Sequence, residues 1–514
     1  MPGAPHPREL PSRPNLRHLK LEAKRRLAAG EFPALHDAQV AIAREYGVPT
    51  WAALKERVNT INDDSPALDQ LRWIIDRFQD ADQQTWTPPG TAELQQHFDE
   101  RFLAVVPPPA LITTIGSMAA DLRGDLVVLG QTSVQAYVQL NGMHYLAVAD
   151  PQPPYRLTAL RGIPVGSRVH DPRVANPPVR THGQVPAGVQ EIAEQAFAEL
   201  GLTALLLAGA DKDNHQEPWI LTRGWADLER AEPLDPGHRF PAPGVTALVT
   251  ATAVLRLAAA HTVDLDRPAN DYLTSIAMAD GTITVRELLS HTAGVDSPLQ
   301  NHADQVPELP GFLGPVIRAS GPRGTFDPSN GGIAVLGQLL ADVTGMPYAQ
   351  AATQAVLAPL NLTDSDFPAR VTDIGPRAVT GYNLTLQGRF EAIPAQVSTL
   401  QAVAGLWSTG ADLVRLGLGW PTLLPEALAH EALRPQTGPQ TGPQTGVGPA
   451  GLGWIIGPGR DIATHAGADV NATAAVTTRI RDHRTHVVLT TRLIPVNSIE
   501  TRLLQAWTNS KETR

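Results

Sequence analysis

The 514-residue chain contains no cysteine. This absence excludes disulfide bonds, catalysis by a thiol and zinc sites that depend on cysteine. The histidines are scattered, and none pairs with a carboxylate at i, i+4 spacing in a recognisable metal-binding motif. We therefore expect no bound metal and no other cofactor.

Long apolar runs are also missing. A membrane-spanning helix needs about 18 or more uninterrupted apolar residues, and no segment of the chain provides them. The opening sequence, MPGAPHPRELPSRPNLRHLKLEAKRR, lacks the apolar core of a secretory signal. We expect a cytoplasmic protein that makes no contact with membranes.

Basic residues are fewer than acidic ones, and the net charge is -10 at pH 7. Nucleic acids and anionic membranes both require a basic surface, so neither is expected as a partner. Basic residues cluster only near the start, and we interpret them as a solvated helix face, with a polyanion site as the alternative. The cluster comprises Arg8, Arg13, Arg17, Lys20, Lys24, Arg25 and Arg26.

The length and the 42% content of hydrophobic residues predict roughly three globular domains. Residues 1–62 are expected to form a helical module, because Leu16, Leu19, Ala23 and Leu27 fall on one helical stripe. The module itself suggests no chemistry.

Residues 65–163 are predicted to form a small α+β domain. Amphipathic helical segments come first, and alternating strands follow, joined at Asn141-Gly142, a dipeptide that favours a type I′ hairpin. This order of elements, with the phrase FLAVVPPPAL, resembles the cystatin-like or steroid-isomerase-like (NTF2-like) domain that precedes the hydrolase domain in some serine β-lactamase relatives. One of those relatives acts in clavulanic acid biosynthesis, so the resemblance implies a role in secondary metabolism.

Residues 164–188 are rich in Pro, Gly, Val and Arg without a sustained period, which predicts an extended linker. The large remaining region, 189–514, contains several phrases that resemble the class C β-lactamase and D-alanyl-D-alanine carboxypeptidase family. This resemblance implies an α+β fold, with an antiparallel sheet flanked by helices beside a helical subdomain and an active site in the cleft between them. The phrases include GWADLERAEPLDPGHRF, AVLRLAAAHTVDLDRPANDYL, ITVRELLSHTAGV, FDPSNGGIAVLGQLLADVTGMPYAQ, AGLWSTGADLVRLG and GLGWIIGPGRDIATHAGADV.

The family resemblance also implies a catalytic set: a serine and lysine in S-x-x-K, a tyrosine in Y-x-N, and a K-T-G or H-x-G segment on an edge strand. Aligned without gaps between Phe240 and AVLRL, the serine position is Gly244 and the lysine position is Ala247. The tyrosine position is Pro328, followed by Ser329 and Asn330. All three reactive side chains are therefore absent. The last motif persists in its H-x-G form as His465, Ala466 and Gly467.

Other polar residues near these motifs have structural interpretations. Thr246 lies two residues from the serine position and so points elsewhere on the helix. Ser329 is interpreted as a loop hydroxyl bonded to backbone, His291 as a packing histidine and Asp327 as a turn cap. His465 is interpreted as a hydrogen-bond donor, with a role as general base as the alternative.

The preferred hypothesis is a catalytically degenerate protein that binds a small apolar or aromatic metabolite, by sequestration or non-covalent rearrangement. Loss of three polar side chains predicts a larger, less polar pocket. Two alternatives stay open: a hydrolase or acyl-transfer enzyme with another nucleophile, and an interaction protein acting through its N-terminal domains. The pocket is expected to use Gly244, Ala247, Asp327, Ser329, Asn330, His465, Ala466 and Gly467.

Overall fold

The structure is a computed structural model, and its described residues fall into two compact units. The first draws on residues 1–141 and 145–161, and the second on 142–144, 162–440 and 447–514. The described residues are 16–28, 31–46, 50–51, 54, 65–78, 85–118, 121–123, 126–131, 135–150, 153–211, 217–295, 302–308, 323–324, 326, 328–436, 450–457 and 460–509.

The first unit begins with two helices, α1 (Leu16–Ala28) and α2 (Leu35–Glu45), which pack through a small apolar cluster. Leu19 and Ala23 of the predicted stripe are buried in this cluster. Helix α3 (Pro66–Ile75) starts at Ser65, whose hydroxyl accepts a hydrogen bond from the Leu68 amide. The next helices are α4 (Thr91–His97), α5 (Glu100–Val105) and α6 (Pro108–Ser117).

Four strands follow in a sheet ordered as they occur along the chain. Asn141 and Gly142 have φ values of 46° and 72°, as a type I′ turn requires, so the predicted hairpin is confirmed. Whether this α+β domain is of the cystatin-like type stays a prediction. The strands are β1 (Val127–Gln131), β2 (Gln135–Leu140), β3 (Met143–Ala149) and β4 (Leu157–Pro164).

A larger sheet organises the second unit, with strands in the order β15-β16-β17-β18-β6-β7-β5 and β8 paired to β7. Its strands pair antiparallel along the described residues, as the resemblance implied. The strands are β5 (Val179–His182), β6 (Ala204–Asp211), β7 (Trp219–Asp227), β8 (Glu232–Pro233), β15 (Ile455–Ile456), β16 (Ile462–Asp469), β17 (Ala472–Arg479) and β18 (Arg484–Thr490).

Both faces of this sheet are covered by apolar residues. Along β6, Leu206 and Ala208 pack into the core on one face, whereas Leu205 and Leu207 pack into the core on the other. Such alternation follows from the two-residue period of a strand. Because both faces are buried, the strand reads as a continuous apolar run.

The segment predicted as a linker, 164–188, contains strand β5, which pairs with β7 along Val179–His182. Part of the segment therefore belongs to the sheet. All four residues of β5 are exposed. Their sequence consequently lacks the apolar alternation that would distinguish a strand from a connector.

Helix α8 (Val245–Ala259) lies in the middle of the larger core, and its residues from Val245 to Leu255 are buried. A helix that is buried on every side needs small or apolar residues all round, which explains its many Ala, Val and Leu residues. The other helices are α7 (Val189–Leu200), α9 (Val285–Leu289), α10 (Asn330–Thr344), α11 (Tyr348–Ala352), α12 (Gln401–Ala404), α13 (Gly410–Gly419), α14 (Glu426–Ala432) and α15 (Asn497–Asn509).

Short two-stranded ribbons complete the second unit. Strand β9 pairs with β14 shortly before α8 begins at Val245, and β10 pairs with β13. The strands are β9 (Phe240–Pro241), β10 (His302–Ala303), β11 (Tyr382–Leu384), β12 (Phe390–Ala392), β13 (Val397–Ser398) and β14 (Trp407–Ser408).

Candidate functional site

Gly244, at the predicted serine position, immediately precedes α8 and has a φ of 72°. Such a left-handed conformation favours glycine. A Cβ atom added here would lie 2.6 Å from both the Ala466 carbonyl oxygen and the Gly467 amide nitrogen. The position therefore has no room for any side chain, including serine.

Gly467 makes the reciprocal contact from strand β16. A Cβ atom on Gly467 would lie 2.7 Å from the Gly244 Cα and 2.7 Å from the Pro243 carbonyl carbon. The Gly244 amide also donates a hydrogen bond to the Val403 carbonyl oxygen at 3.2 Å. The prediction of a larger pocket is thus wrong at this point, because main chain fills the volume that the serine would occupy.

The lysine position is equally closed. Ala247 is buried in the apolar core, with 3% of its surface exposed. One residue before it, the Thr246 hydroxyl donates to the Ala242 carbonyl oxygen at 2.8 Å and accepts from the Leu406 amide at 3.2 Å. Thr246 is therefore held in structural bonds, consistent with the expectation that it does not replace the serine.

Lysine is also absent from most of the sequence around this position. The chain has no lysine between residues 213 and 510. The proton-transfer role that the family resemblance assigns to lysine thus has no lysine to perform it in that span.

The tyrosine position, Pro328, is exposed, and Ser329 and Asn330 begin helix α10. Ser329 is buried, and its hydroxyl accepts a hydrogen bond from the Gly332 amide at 3.0 Å. This is a helix cap, as the backbone-bonding interpretation predicted. Asn330 is half-buried, whereas Asp327 lies outside the described residues.

His291 contacts the residue that precedes helix α10. Its Nδ1 accepts a hydrogen bond from the Ser329 amide at 3.1 Å, which places the ring proton of the neutral form on Nε2. Its ring also meets Phe326 edge-on, with centroids 6.1 Å apart. Burial lowers the pKa of His291 to about 4, so the ring is neutral at pH 7. These contacts agree with a packing role.

His465 lies on β16 opposite Val476 and is only 8% exposed. Burial, with a smaller contribution from His291, lowers its pKa to about 3. Within the described part of the chain, neither ring nitrogen has a hydrogen-bond partner. A buried polar group without a partner costs about 1–3 kcal/mol, and a hydrogen bond from a ligand to a ring nitrogen of His465 would offset that cost.

A second histidine, His302, lies near the same strand and has no recognisable signal in the sequence. His302 Nε2 lies 2.7 Å from Asp469 Oδ2, and both side chains are 11% exposed. Asp469 ends strand β16, two residues after Gly467. No local pattern indicates this pair, because 166 residues separate its members along the chain; the two-residue period of β16 alone would place Asp469 on the same face as His465.

Among the described residues, no group of three or more histidine, aspartate or glutamate side chains is arranged to hold a metal ion. None of their helices is long and apolar enough to cross a membrane.

Comparison with known proteins agrees with the fold. The family described as Beta-lactamase matches residues 193–506. Esterase EstB of Burkholderia gladioli is 30% identical over 260 residues, covering 42% of this chain and 66% of that protein. The putative penicillin-binding protein PbpX of Bacillus subtilis is 23% identical over 195 residues, covering 37% of this chain and 49% of its own length. The chain thus spans about half to two thirds of these relatives.

A solved penicillin-binding protein from Bacillus halodurans aligns with a TM-score of 0.53 at 19% identity, covering 62% of this chain and 99% of that one. At this identity the likeness concerns the fold alone. The family match covers more than half of the chain, and the antiparallel sheet with flanking helices is the one that the family implies. The chain belongs to the β-lactamase family.

Proposed function

We propose that this β-lactamase-family protein does not carry out the family's acylation and instead binds a small apolar or aromatic metabolite beside His465. The name of EstB describes an esterase, but that activity does not transfer through the family nucleophile. Gly244 cannot form an acyl bond, and its contact with Gly467 leaves no space for a hydroxyl there. Loss of a nucleophile and its base leaves at most residual catalysis.

The observation that supports binding is the pair of unpartnered ring nitrogens on His465. At neutral pH this ring has one N–H donor and one lone-pair acceptor, because its pKa is about 3. A ligand with an apolar body and one polar group would satisfy a ring nitrogen while remaining out of water. His291, Ser329 and Asn330 are the polar neighbours proposed to border this ligand.

The acylation half of the proposal is tested with nitrocefin and a fluorescent penicillin. The full chain is expected to hydrolyse no nitrocefin above the rate of buffer and to retain no fluorescent label after denaturation. A label mapped by peptide mass spectrometry to residues 243–248 would overturn this half.

The binding half is tested with indole and benzamide as probes, observed through the ring nitrogens of ¹⁵N-labelled histidine. We expect saturable shifts at His465 that are absent from the His465→Phe protein. The exposed His483 is the internal control and should not move. Equal shifts at His483, or none at His465 with either probe, would count against the site.

A further inference from the structure

Three side chains at the end of β16 have the composition of an acyl-transfer triad. We propose that Ser398, His302 and Asp469 form a second hydrolytic site, with Ser398 as nucleophile, His302 as general base and Asp469 as the residue that positions His302. Its substrates are carboxylic esters with short acyl groups. This inference does not depend on whether a ligand binds beside His465.

The His302–Asp469 contact fixes how the imidazole can act. Its Nε2 lies 2.7 Å from Asp469 Oδ2, and the other carboxylate oxygen accepts a hydrogen bond from the Val470 amide at 2.7 Å. An ionised carboxylate can only accept, so Nε2 carries the proton of the neutral ring. The lone pair is therefore on Nδ1, which is the arrangement a general base needs.

Ser398 lies next to this base in the ribbon formed by β10 and β13. The two residues are direct partners in the antiparallel register, His302 with Ser398 and Ala303 with Val397. Partners of this kind point to the same face, with Cβ atoms about 4.5–5.5 Å apart. The Ser398 hydroxyl accepts a hydrogen bond from the Leu400 amide at 3.3 Å, which leaves its proton available to donate toward His302.

The cluster is largely removed from water. Ser398 is 6% exposed, and the side chains of His302 and Asp469 are each 11% exposed. A desolvated carboxylate acts more strongly on a neighbouring imidazole than a hydrated one. Because so little of these side chains is exposed, we assign short acyl groups to the substrate.

The cluster lies near the position of the family's active site. On β16, His465, Gly467 and Asp469 share one face, and Gly467 touches Gly244. Asp469 is about 6.6 Å further along the strand than Gly467. On its other side, β13 leads into α12, whose Val403 carbonyl accepts the Gly244 amide. The proposed nucleophile therefore borders the region where the family nucleophile is absent.

The proposed reaction has two balanced steps. The Ser398 oxygen bonds to the ester carbonyl carbon while its proton moves to His302 Nδ1; the carbon–oxygen bond to the leaving alcohol then breaks, and that alcohol takes the proton. Water next gives a proton to His302 and attacks the acyl carbon. The carboxylic acid leaves, and Ser398 regains its proton.

The absence of cysteine provides a direct test of the base, because Ser398→Cys introduces a single thiol. The variant is alkylated with iodoacetamide between pH 5 and 9, with and without His302→Gln. We expect alkylation at pH 6 to be at least about tenfold faster when His302 is present, since a neighbouring imidazole lowers a thiol pKa. Ser498→Cys, on an exposed residue, is the matched control and should not respond to His302→Gln. Equal Ser398→Cys rates in both backgrounds overturn the proposal.

The native nucleophile is tested with a fluorophosphonate and with p-nitrophenyl acetate. The full chain should label at Ser398, and Ser398→Ala should abolish labelling and lower turnover by about 100-fold or more. Ser498→Ala should retain both. No labelling of the folded full chain at Ser398 refutes the assignment, whatever the indole and benzamide titrations show.

Asp469→Asn tests the positioning role. An amide at this position stabilises the wrong ring tautomer, so the acid limb of the pH–rate profile should shift as well as the rate fall. A purely structural role would lower the melting temperature and leave the shape of the profile unchanged. That result, with the melting temperature measured on the same sample, contradicts the positioning role.

Discussion

Restoring the family serine at Gly244 is expected to destabilise the protein and to give no acylation at residue 244. A side chain at a left-handed φ costs about 1–2 kcal/mol. Forcing atoms into a packed interior adds about 1–3 kcal/mol, and here the added Cβ would meet main-chain atoms at 2.6 Å. Gly244→Ser should therefore lower the free energy of unfolding by about 2–5 kcal/mol, a large share of the about 5–15 kcal/mol typical of a domain.

Gly345→Ser is the matched control for this change. Gly345 has a φ of 66°, and a Cβ atom there would find nothing within 4 Å. It should therefore show the conformational cost alone, about 1–2 kcal/mol. The difference between the two variants isolates the contact between Gly244 and Gly467.

Urea unfolding followed by tryptophan fluorescence provides the measurement. Trp420 and Trp454 are buried in the same core with ring centroids 5.6 Å apart, so they report on this unit. Equal loss of stability in Gly244→Ser and Gly345→Ser would refute the close contact. Esterase activity after combining Gly244→Ser with Ala247→Lys and Pro328→Tyr, mapped to residue 244, would refute the closed site.

Three further predictions concern titration and buried charge. His291 and His465 have pKa values of about 4 and 3, against about 6.5 in an unfolded chain, so the folded state binds fewer protons than the unfolded state below pH 6.5. The free energy of unfolding should therefore fall from pH 6.5 toward pH 4. In urea titrations, His465→Phe should make this dependence on pH less steep. Burial raises the pKa of Glu500, which accepts hydrogen bonds from Thr464 and Thr477. The contribution of Glu500 to the free energy of unfolding should therefore decline as pH rises above the ordinary glutamate pKa. Glu500→Gln should have a higher melting temperature than the parent at pH 8, and the same difference in melting temperature at every pH from 4 to 8 would contradict this. Arg492 is 2% exposed and donates to the Pro164 and Leu200 carbonyl oxygens at 2.7 and 2.9 Å. Arg492→Met should therefore lower the free energy of unfolding by about 2–4 kcal/mol. Arg481 is exposed, and Arg481→Met should change the free energy of unfolding by less than about 0.5 kcal/mol.

Motif phrases were sufficient to predict the antiparallel sheet and its flanking helices. They could not predict that main chain lies directly against Gly244. A sequence records which side chain occupies a position, but the path of the neighbouring backbone depends on packing. Two glycines facing each other, Gly244 and Gly467, are a sign of close backbone approach only once their proximity is known.

Contacts between residues far apart in the sequence were the other feature that could not be predicted. His302 and Asp469 lie in segments that share no repeat or spacing, and the two-residue strands β10 and β13 are too short to show a period. The proposed role of Ser398 depends on the register that places it opposite His302, which the sequence does not show. By contrast, the Asn141-Gly142 hairpin depends on adjacent residues and was predictable.

The contact between Gly244 and Gly467 limits which substitutions this part of the fold can accept. While the two main chains touch, a serine at residue 244 meets a steric penalty. A side chain at either glycine would first require the two backbones to separate, through substitutions at other positions. The two positions therefore constrain each other, and neither is expected to change alone.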